Sequence, residues 1–384
     1  MRLVFDARPA FRKNSRRRGI GKYVQELVRA LLRLADPQLE IIFYGCGKDE
    51  LSLPPGQYYY RSLFQLPKPS RLSWVPDRFL LPRQLAEDAP DVFHVNEITS
   101  IVFRPGVRTV VTLHDLIPLI FREQMKQSIP WDYAFALKQA FKKVRQAATV
   151  VTDSLHSKSD ICHHLAVDPN KVVVVYPGCD SQFVPRDRES ARSRIASAFK
   201  IHRPFLFYVG GTDYRKNLPL LIDGFARIRR GGYEGLLVLA GETFHWDIDE
   251  VRQLRNKIAK QGIEGEVIFP GFVGTDQLID FYSCCDMFVF PSLYEGFGLP
   301  VLEALSCGSV VLTTKVASIP EVAGDAAVYF DPSDSCSLVD EFFKLHGNQA
   351  RKDELRAKGP ERAKLFTWDN AARRLLTIYA SLVS

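Results

Sequence analysis

Short apolar runs alternate along the chain with amphipathic, helix-like stretches, the imprint left by a parallel sheet covered with helices on both faces. In the first half, strands are predicted near Arg2–Asp6, Glu40–Tyr44, Val92–Val95, Thr109–Leu113, Thr149–Thr152 and Lys171–Tyr176. Helical patterns run over Gly21–Leu34, Trp131–Ala147 and Ser157–Leu165. The stretch Gly45–Pro76, with its Pro-Pro, Tyr-Tyr-Tyr and Pro-Lys-Pro, carries neither period and reads as irregular. The second half repeats the alternation, with strands at Phe205–Val209, Leu236–Ala240, Val267–Phe269, Met287–Phe290 and Val310–Thr313 and helices between them. Tyr176-Pro-Gly-Cys-Asp180 and the polar run Arg186–Arg194 separate the halves, as a hinge would. The expected architecture is α/β: two doubly wound parallel-sheet domains, residues 1–180 and 181–366, facing a cleft. Residues 367–384 follow as a terminal helix with a capping-type start at Thr367.

A length of 384 residues suits two domains, each with its own core. Hydrophobic residues at 46% and charged residues at 25% are ordinary for a soluble protein. No run approaches the roughly 20 apolar residues that cross a bilayer, and the start reads as a first strand, not a signal peptide. Seven scattered cysteines suggest free thiols in a reducing cytoplasm, not disulfides or a zinc site. The net charge of +7 is uneven. Residues 1–185 hold 26 Lys and Arg against 18 Asp and Glu, a net of +8, and the remainder is near neutral. That asymmetry, including Lys13 and Arg16-Arg17-Arg18, fits either a solvated surface or contact with a polyanion or anionic membrane. No nucleic-acid module accompanies it.

Candidate chemistry concentrates at predicted strand ends, where open α/β sheets bind ligands. After Met287–Phe290 comes Glu295-Gly-Phe-Gly-Leu-Pro-Val-Leu-Glu303. Pro300 suits a first helical turn, which places Glu295 on the loop and Glu303 one turn into the helix. Amides of Gly296, Phe297, Gly298 and Leu299 face the crevice, and the helix dipole favours an anion there. Two carboxylates so placed can hold separate hydroxyl groups of one elongated ligand, although a glutamate at a helix start also caps it. Gly210-Gly211-Thr212-Asp213-Tyr214-Arg215-Lys216 follows the strand Phe205–Val209. It brings two cations to the same edge, either as a surface loop or as a grip on phosphate oxygens. In the first half, Gly19-Ile20-Gly21 forms a turn at a helix start that lets backbone approach an anion. The dinucleotide fingerprint fails there, because Val24 stands in the third small position. His114-Asp115 follows the strand at Thr109–Leu113. Cys162-His163-His164 reads as a solvated helix face, and no Asp-x-Asp pair follows a strand, so no essential metal is expected.

The Glu–seven–Glu string in its Gly-Phe-Gly setting resembles the retaining glycosyltransferases of family 4, and the resemblance covers nearly the whole chain. It implies a GT-B fold of two Rossmann-like domains, the acceptor mainly on the first, the donor nucleotide mainly on the second, and the last helix crossing back to the first. It implies diphosphate binding by Arg215 and Lys216 and a donor-sugar contact from His114. It also implies closure of the Gly19–Gly21 loop over the donor phosphates, and a base-reading loop at Pro270-Gly-Phe-Val273. The segment Ser318-Ile-Pro-Glu321 matches one beyond the donor site, with a structural role expected. Gly241-Glu242 departs from the family, many members of which have a second small residue there.

The implied activity is retaining, metal-independent transfer of a hexose from a nucleoside-diphosphate sugar. GDP-mannose comes first, because Asp-Ala-Arg-Pro and Arg-Gly-Ile-Gly-Lys-Tyr look like bacterial polysaccharide mannosyltransferases. UDP-glucose and UDP-N-acetylglucosamine stay open as donors. The acceptor is expected to be a saccharide on a polyprenyl diphosphate, met by a cytoplasmic protein peripheral to the membrane. A sugar-nucleotide epimerase and a non-catalytic nucleotide-sugar-binding subunit are the competing readings.

Overall fold

The structure, a computed structural model, describes residues 1–11, 19–34, 36, 38–46, 58–63, 75–124 and 131–383, with the chain path only at 75–78. Two compact units emerge, one comprising Met1–Gly178 with Thr367–Ser384, the other Cys179–Phe366. Lys13 and Arg16–Arg18 lie outside the described residues.

Within the first unit the described strands are β1 (Arg2–Asp6), β2 (Glu40–Gly45), β3 (Tyr58–Ser62), β4 (Val92–Val95), β5 (Arg108–Thr112), β6 (Thr149–Thr152) and β7 (Val172–Val174). They pair in parallel in the order β3-β2-β1-β4-β5-β6-β7. The strand order reverses between β1 and β4, which places a crevice at their carboxyl ends. Continuous apolar runs build the central strands because helices cover both faces, and two apolar layers lie on opposite sides of the sheet.

Part of Gly45–Pro76 is regular, contrary to the sequence reading. Tyr58–Ser62 is an edge strand with Tyr59 63% exposed, so its tyrosines and arginine alternate between solvent and sheet without a continuous apolar run. Residues 47–57 and 64–74 lie outside the described set. A helix at Val75–Asp88 also escapes the sequence pattern, because Pro82 interrupts its interior. The Gly21–Leu34 prediction starts two residues late: Gly19–Leu34 is the helix, so Gly19, Ile20 and Gly21 form its first turn rather than a separate loop.

In the second unit β8 (Phe205–Val209), β9 (Leu236–Ala240), β10 (Val267–Gly271), β11 (Met287–Phe290), β12 (Val311–Thr314) and β13 (Ala327–Phe330) are all parallel, in the order β10-β9-β8-β11-β12-β13. The switch point falls between β8 and β11, the two strands whose carboxyl ends carry Gly210–Lys216 and Ser292–Glu295. The final helix, Trp368–Val383, buries Trp368, Ala371, Ala372, Leu375, Ile378 and Tyr379 in the first unit's core, beside Gly19–Leu34.

Candidate active site

On the second unit, the turn after β8 leads into a short 3-10 helix at Tyr214–Lys216. Tyr208 Oη donates to Gly211 O at 2.8 Å, bracing the turn from below, and Gly211 and Thr212 are half-buried in it. Asn217 ends the 3-10 helix in the left-handed region (φ 53°) and anchors it by donating Nδ2 to Pro332 O at 2.8 Å. This geometry sends both cations toward the loop after β11. Lys216 Nζ lies 2.6 Å from Glu295 Oε1 and Arg215 Nη1 lies 3.1 Å from Glu295 Oε2. Arg215 Nε meets Asp213 at 2.8 Å, and Ser292 Oγ donates to Glu295 Oε1 at 2.7 Å.

Glu295 is only 7% exposed. Burial pushes its carboxyl up, but the adjacent Lys216 and Arg215 charges outweigh that and hold it below the usual carboxylate range. Hydroxyls from neighbouring segments satisfy the buried carbonyls of the loop. Thr314 Oγ1 donates to Ser292 O at 2.6 Å, and Ser318 Oγ bridges Glu295 O and Phe297 O at 2.9 and 2.8 Å. Gly298 turns the chain at φ 103° into the helix Leu299–Ser306, with Gly296 and Phe297 buried just before it. Leu299 opens that helix. Glu303 sits within it and accepts from Tyr282 Oη at 3.3 Å. Val273, buried, lies two residues past the end of β10.

The structure therefore joins three of the four charged groups from the sequence, Glu295, Arg215 and Lys216, in one ion-paired cluster. Glu303 is held by the Tyr282 hydroxyl instead. Ser292 escaped the sequence reading, although its place three residues before Glu295 at a strand end was a signal.

The remaining sequence-derived residues lie on the first unit. Gly19 (φ 44°) and Ile20 are exposed at the helix start, and Gly21 is buried. His114 follows β5, with Nδ1 2.8 Å from Asp153 Oδ2 at the end of β6. Burial pulls the imidazole pKa down, but Asp153 and Asp115 more than offset it and the result is raised. The Tyr23 ring stands edge-on to the imidazole, centroids 4.7 Å apart. Deeper in the sheet, His94 binds Tyr379 Oη and Thr112 Oγ1, and burial pushes its pKa down to about 3, keeping it neutral. Among the described residues no group of His, Cys, Asp and Glu forms a metal cluster.

Parallel doubly wound units with a buried carboxylate–cation cluster at the switch point define a GT-B transferase architecture. Residues 17–183 match the Glycosyltransferase Family 4 profile and residues 189–364 that of Glycosyl transferases group 1. The chain belongs to the family 4 glycosyltransferases and is a glycosyltransferase. It is 28% identical over 278 residues to the O-antigen chain mannosyltransferase B of Escherichia coli, covering 72% of this chain and 71% of that protein. It is 26% identical over 278 residues to the serotype-specific mannosyltransferase WbdA of Escherichia coli, covering 72% of this chain and about a third of that longer protein (34%). Its fold is similar to that of Anabaena HepE in complex with UDP-glucose (TM-score 0.76, 16% identity, covering 99% of this chain and 100% of that one).

Proposed function

We propose that this glycosyltransferase moves a hexose, mannose from GDP-mannose in the first instance, from a nucleoside-diphosphate sugar to a saccharide acceptor with retention of configuration. The observation that carries the reading is the charged Glu295 carboxylate held by Lys216 and Arg215 at the sheet's switch point. An arriving diphosphate competes for those two cations, which then stabilise the leaving oxygens. Glu295, released from them, accepts hydrogen bonds from hydroxyls of the sugar. His114 contacts the donor hexose, and the first-turn amides of Gly19–Gly21 close over the phosphates. Gly211, Thr212, Val273 and the loop Gly296–Leu299 line the donor, with Glu303 toward its hydroxyls. The leaving phosphate takes the acceptor proton on the same face, so the protein supplies positioning and electrostatics. With two cations in that role, chelation by EDTA is expected to leave the rate unchanged. The names of the Escherichia coli relatives support mannose, and UDP-glucose bound to HepE supports a nucleotide-sugar donor of the same general kind.

A lipid-linked acceptor draws support from the first unit. An apolar groove of 460 Å³ runs between Ile98–Phe103 and the helix Trp131–Val144. That helix exposes Trp131, Tyr133 and Phe135 along with Lys138, Lys142 and Lys143, a composition suited to an anionic membrane surface at the cytoplasmic face. Among the described residues no helix is long and apolar enough to cross a membrane.

The test is a donor screen with purified protein, comparing GDP-mannose, UDP-glucose and UDP-N-acetylglucosamine with an acceptor and identifying the products. A glycosylated acceptor is expected, not a rearranged nucleotide sugar, and Glu295→Ala should lower kcat by roughly 100-fold or more, the scale of losing a preorganised electrostatic group. No turnover of any donor, with Glu295→Ala indistinguishable from wild type in donor binding, would sink the reading.

A further inference from the structure

Seven buried side-chain polar atoms among the described residues have no hydrogen-bond partner, and five of them, Tyr23 Oη, Asn96 Oδ1, His114 Nε2, Asp153 Oδ1 and Trp368 Nε1, belong to the first unit. Leaving such an atom unmatched forfeits its hydration without replacement, and folded proteins satisfy nearly all of them. Their position is specific. Asn96, His114 and Asp153 follow β4, β5 and β6, at the sheet's carboxyl edge. Tyr23 projects from the helix Gly19–Leu34, its ring against the His114 imidazole at 4.7 Å and the Trp368 indole at 5.4 Å. An ion pair serving stability alone would have its remaining lone pairs and protons matched. Here the carboxylate holds one imidazole nitrogen and leaves the other, and its own second oxygen, unmatched.

We infer that Asp153 is a positioning residue for sugar transfer, holding His114 Nδ1 so that Nε2 is the nitrogen presented to a hydroxyl of the hexose. The inference rests on the reading of His114 as a hexose contact. The arrangement is constrained from three sides. Asp153 Oδ2 binds Nδ1 at 2.8 Å, the Tyr23 ring packs edge-on against the imidazole, and the backbone of Leu113 donates to Val151 O at 2.8 Å, locking β5 to β6. The imidazole is left one unused polar atom. With Nδ1 bearing the proton that Asp153 accepts, neutral His114 presents an Nε2 lone pair to a sugar hydroxyl, and the protonated ring presents an N–H to a phosphate oxygen. The charged and titratable groups around it are Asp153, Asp115, Tyr23 and His94, of which the two aspartates favour the cation.

The experiment follows the His114 imidazole nitrogens of the full chain by long-range proton–nitrogen NMR across pH, in wild type, Asp153→Asn and Asp153→Glu. GDP-mannose turnover is measured alongside. Asp153→Asn is expected to lower the His114 pKa, because the carboxylate that favours the charged ring is gone, and to release its fixed tautomer, with Asp153→Glu restoring much of both. The same Asn variant should lose about 10–100-fold in kcat/KM, and the double variant with His114→Ala should fall no further than the worse single one. An unmoved His114 titration overturns the inference, as do losses that multiply in the double variant. If the titration moves while no nucleotide sugar is turned over even by wild type, the Asp153–His114 coupling stands but both its use in transfer and the donor reading fall.

Discussion

Glu295 lies where two opposing effects meet: desolvation, which disfavours its charge, and two cations at hydrogen-bond distance, which favour it. The cations prevail, so the folded carboxyl titrates below its unfolded value of about 4.5. A depressed carboxyl contributes stability that is fully present above the unfolded value and is lost as pH falls through the folded one. Glu295→Gln keeps the size and a bond to Ser292 but leaves Lys216 buried beside a neutral amide. It should destabilise the second unit by about 3 kcal/mol at neutral pH. The gap in urea midpoint between wild type and Glu295→Gln is expected to be widest near pH 7 and to close as pH drops below about 4.5; a gap constant down to pH 3 would contradict the charged cluster. The Glu295 position was legible in the sequence because the Glu–seven–Glu spacing is local. The identity of its partners was less so, since Lys216 lies 79 residues away and reaches it only once β8 and β11 are neighbours.

At the scale of elements, the ends of β8, β9 and β10 are tied together just beneath the candidate site. Gly210 N donates to Ala240 O at 3.1 Å and Gly241 N to Gly271 O at 2.8 Å. Gly241 adopts φ 154°, and a Cβ there would run into the carbonyl oxygen of Gly210, backbone that cannot swing aside. Gly241→Ala is therefore expected to cost about 2 kcal/mol or more and to lower Tm, with donor affinity falling as the Gly210–Lys216 turn shifts. Thermal melts with and without nucleotide sugar check both, and an unchanged Tm would refute the steric argument. Gly298→Ala meets side chain instead, Ile319 Cδ1 at 2.8 Å, at φ 103°. Its penalty comes chiefly from the backbone, about 1–2 kcal/mol, and its effect should concentrate on donor binding. Legibility at this scale followed burial. Strands covered on both faces announce themselves by continuous apolar runs, so the central strands of both sheets fell within a residue or two of their expected positions. The edge strand Tyr58–Ser62 has one face in solvent and no such run, and the helix Val75–Asp88 was hidden by Pro82.

At the scale of the whole molecule, the chain's end belongs to the unit its beginning builds. Trp368–Val383 buries six side chains in that core, Tyr379 binds the neutral His94, and Gly178 passes so close to Trp368 that a Cβ would strike its backbone. Removing residues 367–384 should therefore leave the second unit folded while exposing the core of the first. Limited proteolysis of the truncated chain is expected to degrade residues 1–178 and spare 179–366; equal resistance of both would show that the terminal helix is dispensable. The membrane contact proposed for the first unit predicts binding to anionic vesicles. It should weaken as salt rises, since screening acts on exposed lysines, and flotation insensitive to salt would remove the electrostatic part of the membrane proposal.

The sequence by itself determined the central strands of two parallel sheets, the edges at which chemistry collects and the residue types delivered there. Run length, turn glycines and helix starts are local consequences of burial, and local order along a chain is what a sequence displays. Only the tertiary structure decided the pairings: Arg215 and Lys216 with Glu295, Ser318 beneath its loop, Asp153 on His114, and Trp368 against Tyr23. Each joins segments whose proximity depends on strand order, and strand order is set by how the layers pack, which no local pattern encodes.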